Sequence, residues 1–86
     1  MIKFIKNPAF EFIYNENDTV TIFDEDMTVI HSLDDIGKII LEFFNKEIAE
    51  EFLKLELCKI FNNINHDELN DFLNELKEKQ IIISVQ

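Results

Sequence analysis

Residues 66–86 have the sequence HDELNDFLNELKEKQIIISVQ, and the change of hydrophobic period within them predicts a helix followed by a strand, which indicates a fold of mixed α and β structure. The first part predicts an amphipathic helix, because its apolar residues follow the i, i+3, i+4, i+7 spacing of one helix face: Leu69, Phe72, Leu73 and Leu76. Asn65 and Glu68 resemble a capping box, with Asn in place of Ser or Thr, and indicate where this helix begins. The apolar, β-branched run at residues 81–85 predicts a strand directly after the helix.

Three strands are predicted near the start of the chain, where apolar and polar residues alternate with the period of two that is typical of half-buried strands. The predicted strands cover residues 10–15, 19–24 and 27–31, and the segments ENDT and DED between them predict turns. Together these strands would form an antiparallel meander. The segment IKFI at residues 2–5 is either a further edge strand or a disordered lead-in.

Helical spacing begins after the third predicted strand. Ser32, which precedes Asp34 and Asp35, indicates a helix N-cap with acidic residues at the positive end of the helix dipole. The apolar stripe of this first helix contains Ile36, Ile39, Ile40, Phe43 and Phe44. Asn45 ends the first helix and can cap a second one, whose stripe contains Ile48, Ala49, Phe52, Leu53 and Leu55.

The predicted fold class is therefore α+β, in a single domain over residues 1–86. A three-stranded antiparallel β-meander is followed by three α-helices (βββααα) and a short C-terminal strand. Because a recognition helix followed by a wing is the order found in winged helix-turn-helix domains, the arrangement is winged helix-turn-helix-like. Gly37 inside the first helix costs roughly 1 kcal/mol relative to Ala, which predicts close approach of a neighbouring element there.

The charge of the chain limits the partners that it can bind. Its 18 acidic residues outnumber the 8 basic residues, all of them Lys, and the formal net charge is −10. Nucleic-acid binding requires several cations that neutralise phosphates, and anionic membrane surfaces attract basic segments. We therefore expect neither nucleic acid nor a membrane as a partner, and favour a neutral or basic protein or peptide.

The sequence contains no recognisable catalytic or metal-binding motif. Cys58 lacks the His and Asn partners of a thiolate nucleophile, and we expect it to be a half-buried small residue. His31 is interpreted as a strand-end residue and His66 as a helix-start residue, because neither has further ligands at zinc spacing. We expect no enzyme activity, no cofactor and no metal.

The compartment is predicted from three further features. The single cysteine cannot form an internal disulfide, which favours a reducing environment. No apolar run approaches the roughly 18 residues of a membrane-spanning helix. The apolar core of the first ten residues is too short for a signal peptide. The chain is therefore expected to be soluble and cytoplasmic.

Three segments carry a resemblance to a known family: FEFIYNENDTVTIFDEDMTVIHSL at residues 10–33, SLDDIGKIILEFFN at residues 32–45 and DELNDFLNELKEKQII at residues 67–82. Over residues 7–83 the chain resembles PqqD-like proteins, the recognition elements for precursor peptides in pathways that modify ribosomally synthesised peptides. The chain departs from the family pattern in two places. Gln80 stands where a Gly often precedes the final apolar pair, and the loop between the first two helices is shortened to about Asn45.

The resemblance implies a winged-helix-like adaptor without chemistry of its own, which binds the leader segment of a precursor peptide. The adaptor would present the precursor to a maturation enzyme such as a radical-SAM enzyme, a cyclodehydratase or a lasso-pathway leader peptidase. The leader is expected to add as a strand to the edge of the third predicted strand, beside the third helix. Peptide-binding residues are predicted on these two elements: Thr28, Val29, Ile30, His31, Glu68, Leu69, Asp71, Phe72, Leu73, Glu75 and Leu76.

Within this set the apolar residues of the third helix are expected to pack mostly into the core, with one or two at the groove. The acidic residues Glu68, Asp71 and Glu75 would attract Lys or Arg in a leader. An alternative function is a winged-helix protein-interaction or transcription-regulatory domain that is not linked to peptide modification. The apolar segment IIISV either pairs with IKFI, completes a wing, or forms an interface with a second chain in a homodimer.

Overall fold

Two antiparallel three-stranded sheets and three α-helices make up residues 1–85, the part of the chain that the computed structural model describes. The strands are β1 (Lys3–Lys6), β2 (Glu11–Tyr14), β3 (Val20–Phe23), β4 (Val29–Leu33), β5 (Ile48–Ala49) and β6 (Ile82–Val85). The helices are α1 (Asp35–Glu42), α2 (Glu50–Ile60) and α3 (His66–Glu78), and a 3₁₀ turn (Phe43–Asn45) follows α1. None of the helices in this described part is long and apolar enough to cross a lipid bilayer.

The first sheet, here called the meander sheet, has the strand order β2-β3-β4 and confirms the predicted antiparallel meander. Its centre strand β3 is anchored by Val20 and Ile22, which are fully buried. The third strand begins two residues later than predicted, because the chain turns tightly before it and Met27 takes a positive φ of 61°. The pairing of β3 with β4 shifts its register between Ile22 and Phe23, so that Ile30 has no partner directly opposite it.

The second sheet, here called the terminal sheet, has the strand order β5-β1-β6 and joins the two ends of the described chain. In its register Lys3 lies opposite both Ala49 and Val85, and Ile5 lies opposite Ile83. Of the alternatives for the segment IIISV, pairing with IKFI is therefore the one found. The order of elements differs from the expected βββααα in two places, because β1 precedes the meander and β5 lies between α1 and α2. Strand β6 after α3 is the predicted C-terminal strand.

The helix starts are only partly those that the sequence predicts. Asn65 caps α3 as expected, because its Oδ1 accepts hydrogen bonds from the N–H groups of Asp67 at 3.0 Å and Glu68 at 3.1 Å. The cap of α1 is Asp34, which accepts from the Gly37 N–H at 2.8 Å, whereas Ser32 belongs to strand β4. The predictions of Ser32 and Asn45 as helix caps are therefore wrong.

The first turn of α1 is tight because α1 follows β4 almost without a linker. A Cβ atom on Gly37 would lie 3.0 Å from the Leu33 Cβ atom and 3.3 Å from Asp34 Oδ1. The absence of a side chain at Gly37 lets the first turn of the helix lie against the end of the strand. The close approach predicted at this glycine is confirmed.

One hydrophobic core lies between the helices and the sheets. Its fully buried side chains with the largest volumes include Phe44, Leu41, Leu53, Leu57, Leu73 and Leu76. The apolar stripe predicted for α3 is confirmed, but the stripe predicted for α2 is partly wrong. Phe52 and Leu55 are exposed over 53% and 60% of their surface, while the buried face carries Leu53 and Leu57. Cys58 is exposed too, rather than half-buried as expected.

The junction between α3 and β6 is closed by hydrogen bonds of the Schellman type. The Ile81 N–H donates to the Leu76 carbonyl at 2.8 Å, and the Gln80 N–H donates to the Lys77 carbonyl at 3.0 Å. Gln80 adopts φ of 60°, in the left-handed region that favours glycine. Asn7 ties β1 to this junction, because its Nδ2 donates to the Gln80 carbonyl at 2.9 Å.

Candidate functional site

The outer edge of β4 is the backbone feature on which the candidate site is built. Within residues 1–85 this strand pairs with β3 alone, so its other edge is open. The Lys79 ammonium approaches the Ile30 carbonyl oxygen at 3.5 Å, which places that carbonyl on the open side. Because backbone groups alternate along an antiparallel strand, Ser32 directs its N–H and carbonyl to the same side.

A groove lies between this edge and α3, and we call it the β4–α3 groove. Two adjoining cavities form it, of about 370 Å³ and about 510 Å³, and both are lined by Asp34 and Phe72. The larger cavity reaches His31 and Ser32 on β4, and the smaller one extends to the first turn of α3. The groove therefore runs past the open backbone edge and ends in a deeper recess.

The recess formed by the smaller cavity is mostly apolar. Its apolar lining residues come from α1, from α3 and from the loop between α2 and α3: Ile36, Phe61, Ile64, Leu69 and Phe72. Phe72 is half-buried, so one part of its ring packs on the core and another part is open to the groove. A recess of this composition is suited to an apolar group of a ligand.

The sequence did not identify Ile36, Phe61 or Ile64 as groove residues. Ile36 was expected to pack inward with the rest of its helix stripe, but it is 51% exposed. Phe61 and Ile64 lie in a loop among polar residues. Large apolar side chains in such a polar loop were the only sequence signal for this wall.

The rim of the groove is acidic. Asp34 and Glu68 border the smaller cavity, Asp34 and Glu75 border the larger one, and the exposed Asp71 lies between them on α3. Carboxylates on both sides of an apolar recess favour a ligand that combines an apolar residue with nearby cations.

His31 connects the two walls at one end of the groove. Its Nε2 lies 3.1 Å from Glu75 Oε1, and its Nδ1 lies 3.0 Å from the Lys79 ammonium. Partial burial, and after it the positive charge of Lys79, lower the pKa of His31, while Glu75 acts in the opposite direction. Because the Lys79 ammonium can only donate, the neutral tautomer that fits these contacts has Nδ1 accepting from Lys79 and Nε2–H donating to Glu75.

The predicted strand residues do not all have the same access to the groove. His31 lines the groove, Val29 is 54% exposed, and Ile30 is half-buried against the core. Thr28 precedes the strand, and its N–H donates to Asp24 Oδ1 at 2.9 Å within the turn. That N–H is not available to a guest strand.

The predicted helix residues divide between the groove and the core. Glu68, Leu69, Phe72 and Glu75 line the two cavities of the groove. Leu73 and Leu76 are exposed over no more than 1% of their surface and belong to the core. Because they line neither cavity of the groove, Leu73 and Leu76 support its wall from behind and do not touch a ligand.

Metal ligands within residues 1–85 and relatives of the chain bear on the site as well. In those residues there is no group of three or more His, Cys, Asp or Glu side chains that could hold a metal ion. No family model matches the chain, and no curated protein matches it either.

Proposed function

We propose that this chain is a non-catalytic adaptor that binds the leader segment of a ribosomally synthesised precursor peptide and presents it to a modifying enzyme. The leader lies as an added strand along the outer edge of β4, in a winged-helix-like arrangement of β4 and α3. The enzyme is of the kind that acts on such precursors: a radical-SAM enzyme, a cyclodehydratase or a leader peptidase. The observation that carries the proposal is the open edge of β4 beside the β4–α3 groove.

Backbone pairing alone does not give useful affinity. The Ile30 carbonyl and both backbone groups of Ser32 offer about three hydrogen bonds, each of which contributes ~1 kcal/mol net. Ordering a flexible peptide offsets much of that gain. A guest strand must also displace the Lys79 ammonium from the Ile30 carbonyl, which it approaches at only 3.5 Å. The backbone edge therefore sets the direction and register of the peptide more than its affinity.

Apolar anchors supply the rest of the affinity. A micromolar complex requires about −8 kcal/mol. One or two apolar side chains, each contributing roughly 1.5–3 kcal/mol on burial, would add to the backbone term. The recess beside Phe72 receives one such side chain, because its walls are apolar and it adjoins the strand edge. The proposed leader thus has a bulky apolar residue close to its β-paired segment.

Charge gives the adaptor its preference among peptides. Glu68 and Glu75 line the groove, and Asp71 is exposed between them on α3. These three carboxylates would attract a leader that carries Lys or Arg. Screening by salt weakens interactions of this kind. Fluorescence-anisotropy titrations at rising ionic strength should show affinity falling with salt, and an affinity independent of salt would contradict the role of the acidic rim.

The main test is isothermal titration calorimetry with a synthetic copy of the N-terminal segment of a precursor peptide encoded beside the gene for this chain. We expect micromolar or tighter binding. Ser32→Pro removes an N–H on the open side of β4 and should weaken binding about fivefold or more. Ser32→Ala is the matched control and should bind like the wild type, because it keeps the backbone donor.

Two outcomes would contradict the proposal. If folded Ser32→Pro binds the segment as tightly as Ser32→Ala, the peptide does not pair with β4. If no short precursor segment from the gene neighbourhood binds at all, the chain is not an adaptor for peptide modification. Binding that leaves the modification reaction unchanged would favour the alternative of a general protein-interaction domain.

A further inference from the structure

One face of α2 carries exposed apolar side chains that no other element within residues 1–85 covers. Phe52 and Leu55, three residues apart on this face, are 53% and 60% exposed. The exposed Ile60 lies on another side of the helix, where it lines a cavity with residues of α1. The opposite face of the same helix carries Leu53 and Leu57, which are buried in the core. Exposed apolar side chains grouped on one helix face mark an interaction surface. The two cavities of the β4–α3 groove contain no α2 residue in their lining, so this surface is separate from the proposed peptide site.

We propose that this face binds the same face of a second copy of the chain, as an antiparallel pair of α2 helices. The twofold axis passes beside Leu55, the centre of the exposed face, so that the two Leu55 side chains meet. A twofold interface uses the same patch on both subunits, so the patch must be complementary to itself.

The charges on α2 meet this requirement. In an antiparallel pair centred on Leu55, Glu51 stands one helical turn before the centre and Lys59 one turn after it. Glu51 of each copy is then level with Lys59 of the other, and two ion pairs flank the apolar centre. Lys59 is available for this contact, because its side chain is 72% exposed although it also binds Glu56 at 3.2 Å.

The distribution of net charge favours the same face. A chain with a net charge of −10 repels a second copy over most of its surface. Helix α2 is nearly balanced, with three Glu and two Lys residues, whereas α3 has five acidic residues and one Lys. Contact through α2 therefore brings the two molecules together with less mutual repulsion than contact through α3.

Sedimentation velocity of the full chain tests the proposal. It should be measured from about 5 to about 500 µM near 0.15 M ionic strength, where a weak dimer in the micromolar range becomes populated. We expect the wild type to change from monomer to dimer within this range. Leu55→Lys should weaken the dimer at least about tenfold, since it places two like charges on the axis. Met27→Lys is the control, because it makes the same change of charge at another exposed apolar residue, and it should dimerise like the wild type.

Charge reversal tests the register of the pair. Glu51→Lys alone and Lys59→Glu alone should each weaken the dimer several-fold, and the double variant should restore it. Each of these changes is unfavourable to the dipole of α2, so recovery in the double variant reports the contact between copies and not the stability of the helix.

Three results would overturn the proposal. A wild-type chain that stays monomeric over the whole range excludes the dimer. Dimerisation that survives Leu55→Lys, or that Met27→Lys weakens equally, places the interface elsewhere. A double charge reversal that associates no better than the single variants excludes the antiparallel register.

Discussion

The central strand of the terminal sheet and the edge strand of the meander sheet use similar backbone for different purposes. Strand β1 is paired on both sides, by β5 and by β6, and it holds the two ends of the described chain together. Strand β4 is paired on one side and faces a groove on the other. Backbone groups that are satisfied inside the chain stabilise the fold, while those left at an edge remain available to a partner.

Strand β2, the other edge of the meander sheet, differs from β4 in the contacts of its side chains. The Lys6 ammonium lies over the rings of Phe12 and Tyr14, 4.7 and 5.4 Å from their centres, and donates to the Tyr14 hydroxyl at 3.0 Å. Side chains of β2 are thus engaged by the neighbouring strand β1. The edge of β4 is instead bordered by a groove, which makes it the better site for a guest strand.

The largest effect is expected from a proline in the paired strand. Ile5→Pro removes a donor from the centre of the terminal sheet and should cost about 3 kcal/mol or more. That is a large part of the stability of so small a domain. Urea denaturation followed by circular dichroism should show a much lower midpoint or no cooperative transition.

A proline at the open edge of β4 tests whether this edge is less important for stability than the paired strand β1. Ser32→Pro should cost less than about 1 kcal/mol, because the lost N–H points away from β3 and proline is tolerated at sheet edges. A similar loss of stability in both proline variants would mean that β4 is no more open than β1.

Phe72→Ala should give the next largest effect. This ring is half-buried between the core and the groove, so its removal should cost about 2 kcal/mol, less than for a fully buried Phe. It should also weaken peptide binding, because it removes a wall of the recess. Phe52→Ala, at an exposed Phe on α2, is the control and should cost less than about 1 kcal/mol without changing peptide affinity. Equal losses of stability in the two variants would contradict the packing described for Phe72.

Gln80→Gly should stabilise the protein by about 0.5–1 kcal/mol. The left-handed backbone at this residue is strained for glutamine but not for glycine, and the gain exceeds the entropic cost of glycine. Thermal unfolding should show a melting temperature a few degrees higher than that of the wild type. The matched change Lys79→Gly, one residue earlier with φ of −83°, should lower the melting temperature instead.

The smallest expected effect concerns pH. The pKa of His31 lies below its ordinary value of 6.5 in the folded chain, so the unfolded chain takes up this proton first as the pH falls. Neutral His31 contributes its full stabilisation while the pH is above 6.5, the ordinary pKa of histidine. This contribution decreases as the pH falls from that value towards the lower pKa of His31 in the folded chain. Denaturation between about pH 5.5 and about pH 8 should therefore show a smaller loss of stability in His31→Gln than in the wild type. An unchanged pH dependence in His31→Gln would contradict the coupling between His31 and the stability of the fold.

Regular patterns in the sequence predicted the elements that bury one clear face. Strand β3 alternates buried and half-buried residues, and the α3 stripe has four apolar residues at helical spacing, so both elements were predicted correctly. Strand β5 is only two residues long and therefore shows no period, and its Ile48 and Ala49 were attributed to the following helix. The start of β4 was predicted two residues too early, because the positive φ of Met27 extends the turn that precedes the strand.

The candidate site was predictable on its two main walls but not at its apolar end. The α3 residues at the groove follow from the helix stripe, whereas Phe61 and Ile64 reach the groove only through the tertiary course of a loop. The buried face of helix α2 was predicted wrongly for another reason. Apolar residues occur on both of its sides, and periodicity alone cannot tell which side meets the core.

The pairing of Lys3 with Val85 brings the entry and the exit of this domain side by side. Such a unit can be inserted into a surface loop of a host enzyme without forcing the host's flanking segments apart. For the same reason, a circular permutant that joins the two ends by a short linker and opens the hairpin turn near Asn17 should keep the same architecture.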